Sequence, residues 1–192
     1  FMPAPAPLDV ALLLYPECMP AGLFAAADLL TAAALRSGAR GWRVHWVGVK
    51  PGPVACAHGM ALRAETRLDA QRWQAVLLPG FWAGTPAQLS AGLGGQLPLQ
   101  QALRALPRSV PLWTWCTGVA LAAAAGRLDG EAATGTWWMA AQLSRAHPEV
   151  DWQWQAPMVS SRRVATASGV HGYLPILAQE LERSISPEAW RD

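Results

Sequence analysis

The residue best placed to do chemistry is a cysteine at the end of an apolar run. Residues 113–118 read Trp-Thr-Trp-Cys-Thr-Gly, and an Ala-rich run typical of a helix follows directly. Such a sharp strand-to-helix turn, a nucleophile elbow, raises its side chain above the carboxyl edge of a sheet, and Gly118 lets the backbone pass closely. Free N–H groups at the helix start favour a thiolate, which predicts a lowered pKa for Cys116. A buried structural cysteine explains the pattern equally well.

The elements that must position this cysteine alternate between strand and helix. Strands are predicted over residues 9–15, 42–48, 75–79 and 110–115, with short ones over 150–154, 158–160 and 163–166. Helices are predicted over residues 21–37, 99–106, 117–125, 137–147 and 172–183, the first of them ending at Gly38. The Gly-rich residues 80–95 between two of these elements are predicted to form a surface loop. Because parallel strands need crossovers that are usually helical, the order predicts an α/β fold: a mostly parallel sheet with helices on both faces.

Length and composition predict one compact domain over residues 1–192, with residues 1–8 as a leader. Apolar residues make up 52% of the chain and charged residues 15%, and the formal net charge is +2. Arg162-Arg163 is the only adjacent basic pair, which argues against direct contact with DNA. No apolar run approaches the roughly 18 to 20 residues that span a bilayer, and no secretory signal is present, so we expect no membrane partner and a cytoplasmic location.

The other residues with reactive side chains do not predict a metal or cofactor site. Cys18, Cys56 and Cys116 are odd in number and far apart, which argues against a disulfide framework and leaves at least one free thiol. Cys56 and His58 lie close together, but the remaining histidines are scattered and no spacing matches a closed zinc site. For His171 the alternatives are an approach to the site near Cys116 and a structural role, of which the structural role is favoured. We therefore expect no metal and no cofactor.

Blocks of sequence after the cysteine resemble a known family. They read Cys-Thr-Gly at 116–118, Leu-Ala-Ala-Ala-Ala-Gly-Arg-Leu-Asp-Gly at 121–130 and Ala-Thr-Gly-Thr-Trp at 133–137, with support from Tyr15-Pro16, Asp28-Leu-Leu, Leu78-Pro-Gly80, His147-Pro148 and Thr166-Ala-Ser-Gly169. In order and spacing they resemble the PfpI-type, class I glutamine amidotransferase-like superfamily, and most closely the sensor domains that begin AraC-type transcription regulators. The resemblance covers essentially the whole chain. It implies a flavodoxin-like three-layer sandwich, a homodimer and, after Asp192, a DNA-binding domain with helix-turn-helix motifs.

The chain departs from the enzymes of this superfamily at two positions. Those enzymes pair the elbow cysteine with a histidine in the block at 133–137 and with an acidic residue near the start of the first helix. Thr136 stands at the histidine position and Gly22 at the acidic one, while Glu17 lies several residues too early. A positioned general acid or base contributes ~100- to 10,000-fold to a rate, so the resemblance implies binding rather than catalysis. A Cys116-dependent hydrolase, hydratase or amidase, and a redox sensor using Cys116, are the alternatives.

The hypothesis that the domain binds a ligand without catalysis predicts a site around the elbow for an unidentified small-molecule effector. The Thr117 N–H and a second one near Gly80 or Phe81 would form an anion site. The chain has 11 tryptophans, and the resemblance places some of them near Cys116, where they would hold a flat or cationic molecule at ~0.5 to 2 kcal/mol per contact. For any one tryptophan, a place in the core is favoured. The predicted ligand-binding residues are Gly80, Phe81, Trp82, Trp115, Thr117, Thr136 and Trp137.

Overall fold

The computed structural model describes residues 7–37, 41–69 and 71–184. Residues 1–6 of the predicted leader, and the predicted helix end at Gly38, lie outside these ranges, while Leu8 already belongs to the first strand. The strands are β1 (Leu8–Leu13), β2 (Trp42–Gly48), β3 (Gly52–Ala55), β4 (Ala61–Ala64), β5 (Thr66–Arg67), β6 (Ala75–Leu78), β7 (Leu112–Trp115), β8 (Ala132–Ala133), β9 (Asp151–Trp152), β10 (Met158–Ser160) and β11 (Val164–Ala167). The helices are α1 (Ala21–Ser37), α2 (Pro86–Gly94), α3 (Leu97–Ala105), α4 (Gly118–Ala124), α5 (Ala140–Ala146) and α6 (Tyr173–Ser184).

A mostly parallel sheet forms the centre of the molecule. Within the described ranges, seven strands follow the order β10-β11-β7-β6-β1-β2-β5. Their pairings are parallel except for the antiparallel edge pair β10–β11. The central strands β6 and β7 are buried at every residue because helices cover both faces of the sheet.

The helices divide between the two faces. α1 and α6 pack together on one face, while α4 packs against β7, α2 and α3 on the other. This arrangement confirms the predicted α/β sandwich. The hairpin β3–β4 lies outside the main sheet, and a short 3-10 helix, Ala57–Gly59, connects its two strands. Every helix in the described part of the chain is too short or too polar to cross a membrane.

The prediction of a surface loop over residues 80–95 is wrong, because the segment contains helix α2. Thr85 caps this helix by accepting a hydrogen bond from the Gln88 N–H at 3.2 Å, and Pro86 occupies its first turn. Both features start helices. Leu89 is fully buried, and Gly92 lies so close to the Phe81 ring that a Cβ there would come within 2.1 Å of it. Gly92 therefore serves the packing of α2 against Phe81.

Candidate functional site

Cys116 occupies a strained turn between β7 and α4. Its φ of 54° lies in the left-handed region, which costs a non-glycine residue about 1–3 kcal/mol. The backbone at Gly118 lies very close to the end of β6. A Cβ on Gly118 would be 2.8 Å from the carbonyl oxygens of both Leu78 and Pro79. Only glycine fits such a close approach. The predicted nucleophile elbow is therefore present in the backbone.

The surroundings of the Cys116 thiol favour its protonated form. The residue is 9% exposed, and burial raises the pKa of its thiol above the ordinary value of 9.0 because a thiolate would lose its hydration. The Thr117 N–H and the hydroxyls of Thr117 and Thr136 act in the opposite direction without reversing the shift. The sequence predicts a lowered pKa, and this direction is wrong because burial outweighs the local donors. The thiol is protonated at neutral pH.

Aromatic rings fill the space beside Gly22, where the related enzymes have an acidic side chain. A Cβ on Gly22 would lie 2.6 Å from Cζ2 of Trp115 and 2.7 Å from Cδ1 of Tyr173. These two rings meet edge to face with their centroids 5.6 Å apart. A side chain at position 22 would therefore displace packed rings. Glu17, the nearest acidic alternative in the sequence, is exposed on the loop after β1.

Thr136, at the histidine position, contacts the thiol without offering a base. Its hydroxyl hydrogen-bonds Cys116, and its Oγ1 accepts a hydrogen bond from the Gly169 N–H at 3.3 Å. A neutral hydroxyl orients the thiol but does not accept its proton at neutral pH. In the part of the chain that the structure describes, neither an imidazole nor a carboxylate is among the groups that perturb the Cys116 pKa.

One candidate donor of the predicted backbone anion site, the Phe81 N–H, is already used within the protein. The Phe81 N–H donates to Oγ1 of Thr117 at 2.7 Å, and the Thr117 hydroxyl donates to the Phe81 carbonyl at 2.5 Å. Gly80 contributes its carbonyl, which accepts from the Met19 N–H at 2.8 Å. The Phe81 amide is thus used to join β6 to the elbow, and the Phe81 ring is buried against α2. An anion would have to break these bonds.

A cavity of about 400 Å³ opens beside the elbow, on the side of Trp115 and Gly22. We call it the elbow pocket. Its described lining contains no Asp, Glu, Lys or Arg and is dominated by aromatic rings, methionine side chains and two imidazoles. The residues that line it are Met19, Pro20, Ala21, Gly22, Phe24, His58, Met60, Trp82, Trp115, Val170, His171 and Tyr173.

Two of the predicted ligand-binding residues, Trp82 and Trp115, line the elbow pocket. Trp82 is 60% exposed, and its indole N–H donates to Nε2 of His58 at 3.4 Å. Trp115 is buried and forms an inner wall. Gly80, Phe81, Thr117, Thr136 and Trp137 lie outside the lining, as does Cys116 itself. Trp137 is 78% exposed on the surface.

Sequence reasoning missed much of the pocket wall. Met19 follows β1, His58 and Met60 belong to the connection between β3 and β4, and Tyr173 begins α6. The sequence favours a structural role for His171 and places His58 only in a weak pair with Cys56, yet both histidines line the pocket. The available signal was the general rule that ligands bind beyond the carboxyl ends of parallel strands.

A larger cavity, of about 680 Å³, lies beyond β1 and β2 near Lys50, but it contains none of the predicted site residues and is lined largely by Pro, Gly and aliphatic side chains. Within the described ranges, no group of three or more His, Cys, Asp or Glu side chains is arranged to bind a metal. The elbow pocket is therefore the candidate site.

Solved structures share this fold at low sequence identity. DJ-1beta from Drosophila melanogaster is 18% identical with a TM-score of 0.73, covering 96% of this chain and 94% of that one. An AraC family transcriptional regulator from Pseudomonas putida is 17% identical with a TM-score of 0.72, covering 96% of each chain. A THiJ/PfpI family protein from Pseudomonas syringae is 19% identical with a TM-score of 0.76, covering 98% of this chain and 74% of that one.

No curated protein matches the chain. The sequence pattern of the DJ-1/PfpI family, in contrast, matches residues 10–182, nearly the whole of the described fold. This match confirms the resemblance inferred from the blocks around Cys116, and the elbow in the structure agrees with it. The chain therefore belongs to the DJ-1/PfpI family.

Proposed function

We propose that this domain is a non-catalytic sensor that binds a flat, uncharged aromatic small molecule in the elbow pocket. One observation carries the proposal: the rings of Trp115 and Tyr173 fill the space at Gly22 and also line the pocket. The two rings that occupy the place of the missing acidic side chain thus also form part of the pocket wall. The raised pKa of Cys116 and the hydroxyl at Thr136 support binding over proton transfer.

The chemistry of the pocket wall supports this ligand class. Phe24, Trp82 and Tyr173 offer aromatic faces and edges, which stack with flat rings at about 0.5–1.5 kcal/mol per pair beyond simple burial. His58 and His171 offer ring nitrogens that can donate or accept hydrogen bonds. Because the described lining lacks Asp, Glu, Lys and Arg, a charged ligand would lose its hydration without gaining an ionic partner.

We propose a role in transcription regulation from the similarity of this domain to AraC family regulators. The AraC family structure from Pseudomonas putida has the same fold over nearly its whole length, and the blocks at 116–137 resemble the sensor domains of such regulators. In this proposal the domain works in the cytoplasm as a homodimer. DNA is contacted by a helix-turn-helix domain outside residues 1–192, and ligand binding in the elbow pocket controls that domain.

Thermal unfolding with a panel of aromatic fragments tests the ligand class. The panel contains uncharged bicyclic compounds, with indole as the first probe, together with matched carboxylate and ammonium analogues. A compound present at 100 times its Kd stabilises the fold by about 2.7 kcal/mol. We expect uncharged members to raise the unfolding temperature more than their charged analogues.

Two tryptophan variants locate the binding site. Trp82→Ala removes an exposed ring from the pocket wall, and Trp137→Ala removes an exposed ring outside it. Loss of one stacking contact predicts a roughly 2- to 10-fold higher Kd for Trp82→Ala and no change for Trp137→Ala. Equal affinities in the two variants, or a panel without any binder, would contradict the proposal.

A further inference from the structure

Cys18 and Cys56 form a pair of buried thiols. Cys18 belongs to the loop after β1, and Cys56 follows β3 directly. Their Sγ atoms are 3.6 Å apart although the residues are 38 positions apart in the sequence. The Cys18 thiol donates to Sγ of Cys56, and the Cys56 thiol donates to the Val54 carbonyl at 3.6 Å. Both side chains are buried, at 0% and 3% exposure.

Backbone hydrogen bonds hold the two loops side by side around this pair. The Glu17 N–H donates to the Ala55 carbonyl at 2.8 Å, and the Ala57 N–H donates to the Cys18 carbonyl at 3.0 Å. These two hydrogen bonds join the loops next to each cysteine. A disulfide has an S–S distance of about 2.05 Å, so the sulfurs need to approach by only about 1.5 Å.

We propose that Cys18 and Cys56 are an oxidation site that closes to a disulfide when the protein meets hydrogen peroxide. The Cys56 thiolate attacks one peroxide oxygen, the O–O bond breaks, and the products are a sulfenic acid and hydroxide. The hydroxide takes up the proton that Cys56 released, giving water. The Cys18 thiolate then attacks the Cys56 sulfur and displaces the hydroxyl group, which leaves as a second water with the Cys18 proton. Two thiols are oxidised, and one peroxide is reduced to two waters.

The order of attack follows from the hydrogen bond between the thiols. Burial raises the pKa of both groups, to about 12 for Cys18, whereas the bond donated by Cys18 lowers the pKa of Cys56. Cys56 therefore ionises first and attacks the peroxide. The two loops also carry Met19 and His58 of the elbow pocket, so the cross-link would join two parts of the pocket wall. Disulfide formation itself does not depend on the proposed ligand.

Treatment of the whole 192-residue chain with hydrogen peroxide tests the proposal. Free thiols are then alkylated under denaturing conditions without reductant. The wild type should retain one alkylatable thiol of its three, lose about 2 Da before alkylation, and give a Cys18–Cys56 cross-linked peptide. Cys116→Ala should form the same cross-link and retain none.

The remaining variants control for the identity of the pair. Cys18→Ala and Cys56→Ala should form no intramolecular disulfide, and each substitution removes only a small apolar group. The wild-type peptide map decides the matter even if one variant fails to fold. A map in which Cys18 and Cys56 stay reduced, gain oxygen without cross-linking, or pair with Cys116 would overturn the proposal.

Discussion

Gly22 is the residue that most clearly separates this domain from the enzymes that its sequence resembles. With no side chain at position 22, the rings of Trp115 and Tyr173 meet above the first turn of α1 and close the space from which a carboxylate would reach the elbow. Cys116 retains the strained φ of an elbow residue, but its thiol contacts hydroxyl and amide groups. The absence of a side chain at position 22 therefore leaves room for an aromatic wall in place of a carboxylate.

The packing at position 22 predicts a large effect from a small substitution. Gly22→Ala should lower the free energy of unfolding by about 1–3 kcal/mol, since the new methyl group overpacks two rings. Urea denaturation measures the change. Gly94→Ala in α2 is the matched control, because a Cβ there has no atom within 4 Å and gains the same helix propensity. If the two variants prove equally stable, the rings do not pack on Gly22 in solution.

A single hydroxyl joins two elements of the site. Thr117, at the start of α4, bonds both the N–H and the carbonyl of Phe81, which follows the end of β6. Thr114 makes a similar link, donating from β7 to the Leu78 carbonyl at 2.8 Å. These bonds fix the elbow relative to the neighbouring strand. The Phe81 amide, which the sequence suggested as an anion donor, is used for this structural purpose.

Thr117→Val tests this link between elements. Valine has nearly the same shape but leaves a buried N–H and a buried carbonyl of Phe81 without partners, at about 1–3 kcal/mol for each group. For the two groups together we expect a loss of about 2–6 kcal/mol of unfolding free energy, measured by urea denaturation. Thr31→Val, at an exposed position of α1, should change stability by less than about 0.5 kcal/mol. A neutral Thr117→Val would show that the β6–α4 link contributes little.

Across the whole molecule, the buried thiols are expected to make the folded state less stable at alkaline pH. Burial raises the pKa of Cys18, Cys56 and Cys116 above 9.0, and that of Cys18 to about 12. Above the unfolded pKa of 9.0, the unfolded chain releases thiol protons that the folded chain retains. The contribution of Cys18 to stability is therefore complete below pH 9.0 and is lost as the pH rises toward 12.

The free energy of unfolding should accordingly decrease between about pH 9 and pH 11. Cys18→Ala removes one of the responsible groups, so its decrease over this range should be smaller than that of the wild type. Urea denaturation at closely spaced pH values measures both curves. Parallel curves for the two proteins would show that the Cys18 thiol titrates alike in the folded and unfolded chain.

The local pattern of the sequence predicted the framework of the fold. Apolar runs identified the buried strands β1, β6 and β7, and the change from strand to helix at Cys116 identified the elbow. The glycine content of residues 80–95 predicts a loop, but Thr85 and Pro86 start a helix there. Packing of Gly92 against Phe81 is what makes glycine favourable inside that helix, and such packing is not visible in a local pattern.

Local sequence is sufficient to predict an α/β domain with a cysteine elbow and without the usual histidine and acidic partners. These features depend on neighbouring residues, whose spacing fixes strand, turn and helix. The tertiary structure decided which side chains form the elbow pocket, that Cys18 meets Cys56, and that the pKa of Cys116 rises. These depend on contacts between distant segments and on burial, because a group's access to water is set by whatever packs over it from the rest of the chain.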